Sequence, residues 1–211
     1  MTQWVESPTG GRERGVRGLA RAWVEVLVRP RRFFENGVAP GDQAPGLTFA
    51  IAVAFAFVGG RLLLAPSTLS GYGRVAAATG STYLTALVVL GVACFLVAPL
   101  VLHLAAALAT LSLIAVVDDR AGVSETVQVV AYAAAPAAFA ALPFPAVRLA
   151  AAVYGVGLLV VGVAVVHETS LSRAAAAGVV PALFVFGFAL GGIAALEAVL
   201  GVEVTPDGRA A

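Results

Sequence analysis

From Tyr83 to Val117 the chain runs for 35 residues without an Asp, Glu, Lys or Arg. A helix on the surface of a water-soluble protein needs a polar face, and this stretch has none. At a rise of about 1.5 Å per residue it would extend roughly 50 Å, past the ~30 Å hydrocarbon core of a bilayer. The run must be one long helix or two spans joined by a reversal. A reversal would fall near Pro99, where Ala98, Leu100 and Val101 supply neither turn residues nor a polar loop. The reading is one helix, tilted, kinked at Pro99 and projecting beyond the membrane.

The same ruler divides the rest. Apolar runs of spanning length cover about 47–65, 124–142, 147–166 and 179–200, separated by short polar or proline-containing breaks. Asp118, Asp119, Arg120 and Gly122 make one break, Pro143 and Pro145 another, and His167, Glu168, Ser170, Ser172 and Arg173 a third. Only 12% of the chain is charged and 60% is hydrophobic, against about 25% charged in a soluble domain. The expected fold is all-α: a polytopic transmembrane bundle of five spans over 47–200, a basic amino-terminal segment over 1–46 and a short polar tail over 201–211. The first 46 residues are polar and Arg-rich, so the first span is read as uncleaved and not as a signal peptide. Gly155 and Gly162 fall on nearly one face of the fourth span, and Gly187 and Gly191 form G-x-x-x-G in the fifth, which allows close helix approach. Cys94, the only cysteine, lies in an apolar run and is expected to pack.

Orientation follows from arginine, since all 13 basic residues are Arg. Seven precede the first span, and Arg120 and Arg173 join that side, making nine; Arg61, Arg74, Arg148 and Arg209 make four on the other. The Arg-rich side is cytoplasmic by rule, which puts the amino terminus inside and the carboxyl terminus outside. The Arg and Ala bias suggests a GC-rich genome and hence a prokaryotic cell membrane.

Before the first span, Val16, Leu19, Ala20, Trp23 and Leu27 recur at helical spacing, with Arg14, Arg17, Arg21 and Glu25 on other faces. This pattern predicts an amphipathic helix over about 13–28 that lies in the headgroup layer or packs on the bundle. Arg29-Pro30-Arg31-Arg32-Phe33-Phe34-Glu35 follows. Arg17, Arg21, Trp23, Arg29, Arg31, Arg32, Phe33 and Phe34 are thus the expected anchor, with arginines drawn to anionic inner-leaflet lipid and aromatic rings set at the interface.

Ionisable residues inside a membrane are functional candidates by default. Arg61 and Glu197 fall near the outer ends of their spans, where they would pair or snorkel. His103 and Tyr132 fall near mid-bilayer, where imidazole and phenol could bond to one another. Enzyme templates fail. His167-Glu168-Thr169-Ser170 lacks the second His of H-E-x-x-H, no span holds an Asp, and no phosphate-cradling loop exists. No catalytic group, metal or cofactor is expected, and a net charge of +1 gives no reason to expect a nucleic-acid partner.

Three features resemble the Yip (Ypt/Rab-interacting protein) membrane family in its prokaryotic branch. Arg-Pro-Arg-Arg-Phe-Phe-Glu is similar to the family's Pro-Arg/Lys-Phe-Phe segment ahead of the first span. Tyr132 followed by Pro136 resembles its Gly-Tyr-x-x-x-x-Pro pattern, with Ala131 in place of the Gly. The five closely spaced spans after a cytoplasmic segment complete the likeness. The Asp-Leu-Tyr-Gly-Pro motif of eukaryotic members is absent, so binding of a Rab-type GTPase is not implied. The leading expectation is a membrane scaffold or interaction protein that meets anionic lipid and associates with itself or other membrane proteins through small-residue helix faces. The alternative is a small permease or transporter component in which His103, Tyr132, Pro99 and Pro136 line a path.

Overall fold

In lipid every backbone N–H and C=O must be satisfied within the protein, and a chain this apolar does so by forming helices. The computed structural model describes residues 3–6 and 12–202, with side chains from residue 15 onward. The expected polar tail therefore lies outside the described residues from 203 on. Strands β1 (Gln3–Glu6) and β2 (Arg12–Arg14) pair antiparallel ahead of the first helix, a small addition to an otherwise all-α chain. Helices α1 (Gly15–Val28) and α2 (Pro30–Gly37) precede the first long helix, α3 (Ala44–Leu64). A short surface helix, α4 (Tyr72–Thr79), leads to α5 (Thr82–Val92), which continues through a π turn (Ala93–Val97) into α6 (Ala98–Val116). Then come α7 (Val123–Ala133), a 3-10 segment (Ala135–Ala141) and α8 (Pro145–Val166). Last are α9 (Leu171–Ala182), extended by a π segment (Leu183–Ala189), and α10 (Gly192–Leu200).

Four of these stretches are long and apolar enough to cross a membrane: Ala44–Leu64, Thr82–Val116, Pro145–Val166 and Leu171–Ala189. The chain is an integral, multi-pass membrane protein. The 35-residue run is one uninterrupted helix. Pro99 has no N–H to offer the preceding turn, and the π turn just before it carries the chain past without a break. On α6, Leu102, Ala105, Ala106, Ala109 and Leu113 repeat at three- and four-residue spacing and are buried, while Leu100, Leu104, Leu111 and Ile114 are exposed and equally apolar. The outward face suits lipid.

At the centre lies α7, in which every residue from Thr126 to Ala133 is buried. It contacts α3, α6 and α8, and the 3-10 segment after it contacts α3 and α8. The two elements run alongside α3 in the same direction. Gly46 abuts Gln128, the Phe49 and Tyr132 rings lie 4.9 Å apart, and Gly60 abuts Ala141. The change of helix type has a local cause: Pro136 cannot donate to the carbonyl of Tyr132, and the chain tightens to three-residue bonds such as Ala137 N–H to Ala134 O at 2.9 Å.

The expected last span over 179–200 is corrected in both bounds. Its helix begins at Leu171, where the Ser170 hydroxyl accepts from the Arg173 N–H, and stops at Ala189. Gly191 takes φ +72°, a left-handed conformation that ends the helix, so Gly187 and Gly191 form no continuous packing face. Gly155 and Gly162 do allow close approach, but within the chain. A Cβ at Gly155 would lie 2.3 Å from the Phe186 ring, and one at Gly162 would lie 2.8 Å from both Phe34 and Val129. That glycine face is occupied by the chain's own side chains, which removes it from self-association.

Candidate functional site

The amino-terminal helices are built into the bundle on their apolar side. On α1 the buried stripe is Gly18, Ala22 and Val26, flanked by Leu19, Trp23 and Leu27 that pack on the core. Val16, expected on the apolar stripe, is 82% exposed and Ala20 is exposed too, so the contact face is rotated toward the small residues. Trp23 donates its indole N–H to the carbonyl of Ala135 at 3.1 Å, with its ring 5.1 Å from Phe49. The Tyr154 hydroxyl on α8 donates to the carbonyl of Leu27.

Pro30 sets the first turn of α2, where its missing N–H costs nothing. One face of this helix is apolar and buried. Phe33 is 0% and Phe34 2% exposed; Phe33 meets Tyr132 edge-on at 4.8 Å, and Phe34 lies against Gly162. The aromatic part of the expected lipid anchor is corrected accordingly: Phe33, Phe34 and Trp23 face protein, because the buried Tyr132 and Phe49 offer rings to stack on and the glycine at 162 leaves space. The arginines behave differently. Arg17, Arg29, Arg31 and Arg32 are exposed, while Arg21 pairs with Glu25 at 2.8 Å and Arg31 with Glu35 at 3.2 Å. The segment thus has an aromatic inner face and a basic outer face.

Between α2 and α3 the chain is tied down by α7. Gln128, 0% exposed, accepts the Ala39 N–H at 2.9 Å and donates to the Ala39 carbonyl at 2.7 Å, a reciprocal pair like that of adjacent strands. Its second amide proton reaches Ser124 O at 3.3 Å, and Glu125 accepts the Gly41 N–H at 3.3 Å. Next to Glu125, the Thr126 hydroxyl lies 3.3 Å from Nε2 of His167, which caps α8 and is 1% exposed. Burial pushes this imidazole down to about 4; Glu125 opposes the shift and Arg120 adds to it. Its Nδ1 is buried without a hydrogen-bond partner. Sequence reasoning passed over Gln128 and read His167 only as part of a connection and of a failed zinc template. The usable signal was that Gln128 is the only Asn or Gln within the five expected spans.

The expected intramembrane residues separate. His103 is exposed on α6, where its Nδ1 lies 2.7 Å from Pro99 O, whereas Tyr132 is 0% exposed at the centre of the aromatic cluster. The structure does not bring the two together. Arg61 is 5% exposed near the end of α3 and forms no ion pair with Glu197 of α10 among the described residues. Among the described residues no three His, Cys, Asp or Glu side chains gather as a metal-binding group.

A family model, the Yip1 domain, matches residues 24–193. The chain belongs to the Yip1-domain family. The match opens at residue 24, within α1, and closes at residue 193, at the start of α10, so it takes in α2 and the helices from α3 to α9, while Trp23 and the earlier part of α1 precede it. No curated protein and no solved structure matches the chain. The two positions that carried the resemblance have structural work in the domain: Tyr132 is the ring on which Phe33 and Phe49 converge, and Pro136 lies in the 3-10 segment.

Proposed function

We propose that this Yip1-domain protein is a membrane scaffold or interaction protein without catalytic activity, whose docked amino-terminal helices present a basic face to the anionic cytoplasmic leaflet. One observation carries the reading. Phe33, Phe34 and Trp23 hold α1 and α2 on the bundle, while Arg17, Arg29, Arg31 and Arg32 remain exposed, so the arginines form a fixed charged surface on a rigid base. Each such arginine near an anionic leaflet contributes about 1 kcal/mol of attraction. The scaffold reading is preferred to the permease one because His103, exposed on α6, and Tyr132, buried in the aromatic cluster, face different surroundings, whereas a polar path would join them.

The same reading has five crossings, a cytoplasmic amino terminus and an outside carboxyl terminus, in a prokaryotic cell membrane. The crossing that joins the four long helices, third in chain order, is the largely buried stretch 123–141. Eleven α-helical residues and seven 3-10 residues together reach roughly 30 Å, the hydrocarbon thickness, alongside α3. A carboxy-terminal reporter on the full chain is expected outside the cytoplasm; a cytoplasmic reporter refutes the five-crossing order. Replacing Arg29, Arg31 and Arg32 together with Gln is expected to reduce crosslinking to anionic lipid and to neighbours in native membranes. Unchanged crosslinking refutes the role of the basic face.

A further inference from the structure

Three departures from regular α-helix line a single cavity. They are the π turn Ala93–Val97 between α5 and α6, the π segment Leu183–Ala189 after α9, and Ala134, where α7 gives way to the 3-10 segment. The middle of α3 closes the fourth side, and the enclosed space is about 140 Å³. Turns of the π type are rare and recur at functional sites. Every lining residue is Ala, Val, Leu or Phe, so no polar side chain faces the space. Alanine occurs on all four sides, at Ala54, Ala98, Ala134 and Ala189 among others, which is why the bundle leaves the space unfilled.

The cavity lies at the middle depth of the spanning helices. Ala54 is the midpoint of Ala44–Leu64, and Ala98 is next to the midpoint of Thr82–Val116. Val185 precedes Phe186, whose ring abuts Gly155 at the centre of Pro145–Val166. Two lining residues, Val97 on one π segment and Ala189 on the other, are exposed, whereas Leu102, Val130 and Ala131 are at most 4% exposed. The wall therefore runs from the outer surface into the core. Outside that surface, at the middle of a ~30 Å hydrocarbon layer, headgroups are about 15 Å away and the medium is the ends of lipid chains.

We propose that this cavity is a binding site for the methyl end of a membrane-lipid acyl chain, which enters from the bilayer midplane past Val97 and Ala189. Depth and chemistry select the occupant. A headgroup or a peptide segment brought here would carry polar groups that no lining side chain satisfies, whereas a saturated chain end carries none. Size agrees as well. An apolar cavity of about 150 Å³ in another protein stays dry and binds benzene, so roughly six chain carbons fit. A void forfeits the dispersion contacts of its lining, and an inserted chain restores them. The site uses none of the arginines of α1 and α2 and does not depend on the scaffold reading.

The test uses the full chain in bilayers of phosphatidylcholine that carries a photoreactive diazirine at the methyl end of one acyl chain, with crosslinked residues mapped by mass spectrometry. The wild type is expected to crosslink at Leu102, Val130 and Ala131, which a chain confined to the outer surface does not reach. The same diazirine placed at the glycerol end of the chain is expected to leave these three unlabelled. A134L and A54L, which fill the cavity from α7 and from α3, are each expected to lower their labelling at least tenfold, with labelling of the exposed Leu104 and Leu111 unchanged. Either variant suffices if the other fails to fold. No crosslink at the three buried residues in the wild type, whether the cavity stays empty or a second copy of the chain closes its mouth, overturns the proposal. Undiminished labelling in a folded filling variant, or equal labelling by the glycerol-end probe, overturns it too.

Discussion

Gln128 is the residue whose removal tests how the amino-terminal segment is held. In Gln128→Leu the side-chain volume is nearly kept, but the Ala39 N–H loses its partner at 2.9 Å, and the Ala39 C=O loses the shorter of two bonds, at 2.7 Å, and keeps the Asp42 N–H at 3.3 Å. A buried backbone group left unsatisfied costs about 1–3 kcal/mol, and the loss of one ordinary hydrogen bond about 0.5–1.5 kcal/mol. Ala39 is half-buried, so the lower part of the first range, about 1–2 kcal/mol, applies to its N–H, giving a total of roughly 1.5–3.5 kcal/mol with the carbonyl. The cost falls on the connection 38–43, because α7 stays enclosed by α3, α6 and α8 while the connection keeps the packing of Val38 and the Glu125 contact at Gly41. Local opening there should therefore become about 10- to 300-fold more frequent, at 1.4 kcal/mol per tenfold. Hydrogen exchange of the protein in nanodiscs reads this directly. The amides of Val38, Ala39 and Gly41 should lose protection by that factor, with those of α6 unchanged. If exchange at 38–41 is the same in Gln128→Leu and wild type, the reciprocal pair does not hold the segment and the reasoning is refuted.

Three further perturbations follow from the same packing. His167 is held neutral, with its folded value near 4 against 6.5 unfolded, so the unfolded chain binds the extra proton first as pH falls. Stability should be full above pH 6.5 and decline by roughly 3 kcal/mol as pH drops toward 4; His167→Gln should flatten that part of a pH series of unfolding midpoints, and an unflattened series refutes the assignment. Gly155→Val should destabilise by about 1–3 kcal/mol, since the added carbon would enter the Phe186 ring, itself 3% exposed; an unchanged thermal midpoint argues against that contact. Phe33→Ala should cost about 3–5 kcal/mol by emptying the space against Tyr132, whereas Arg32→Ala on the opposite face should stay within ~0.5 kcal/mol. Equal effects in the two variants would mean that Phe33 is not a core residue.

What the sequence determined by itself is the membrane and the helices that cross it. A 35-residue stretch without charge leaves the backbone no solution but a helix, and breaks such as Asp118 to Gly122 mark where the chain must leave the apolar layer. The family was legible as well, in the Arg-Pro-Arg-Arg-Phe-Phe-Glu segment and in Tyr132 with Pro136. What only the tertiary structure decided is the direction in which each apolar face points. In water, an apolar stripe identifies the core; in a bilayer, lipid and core are equally apolar, and periodicity loses that meaning. Hence Phe33, which reads as a lipid anchor, packs on Tyr132, Phe34 packs against Gly162, and His103, which reads as interior, faces outward. The same indifference hid the break at Gly191, where hydropathy stays high but the backbone turns left-handed. Polar side chains are the exception, because burial without a partner is expensive in either medium. Gln128, Arg61 and Arg148 announce that something must satisfy them, and the fold supplies the partner for the first while leaving Nε of the other two unpartnered among the described residues.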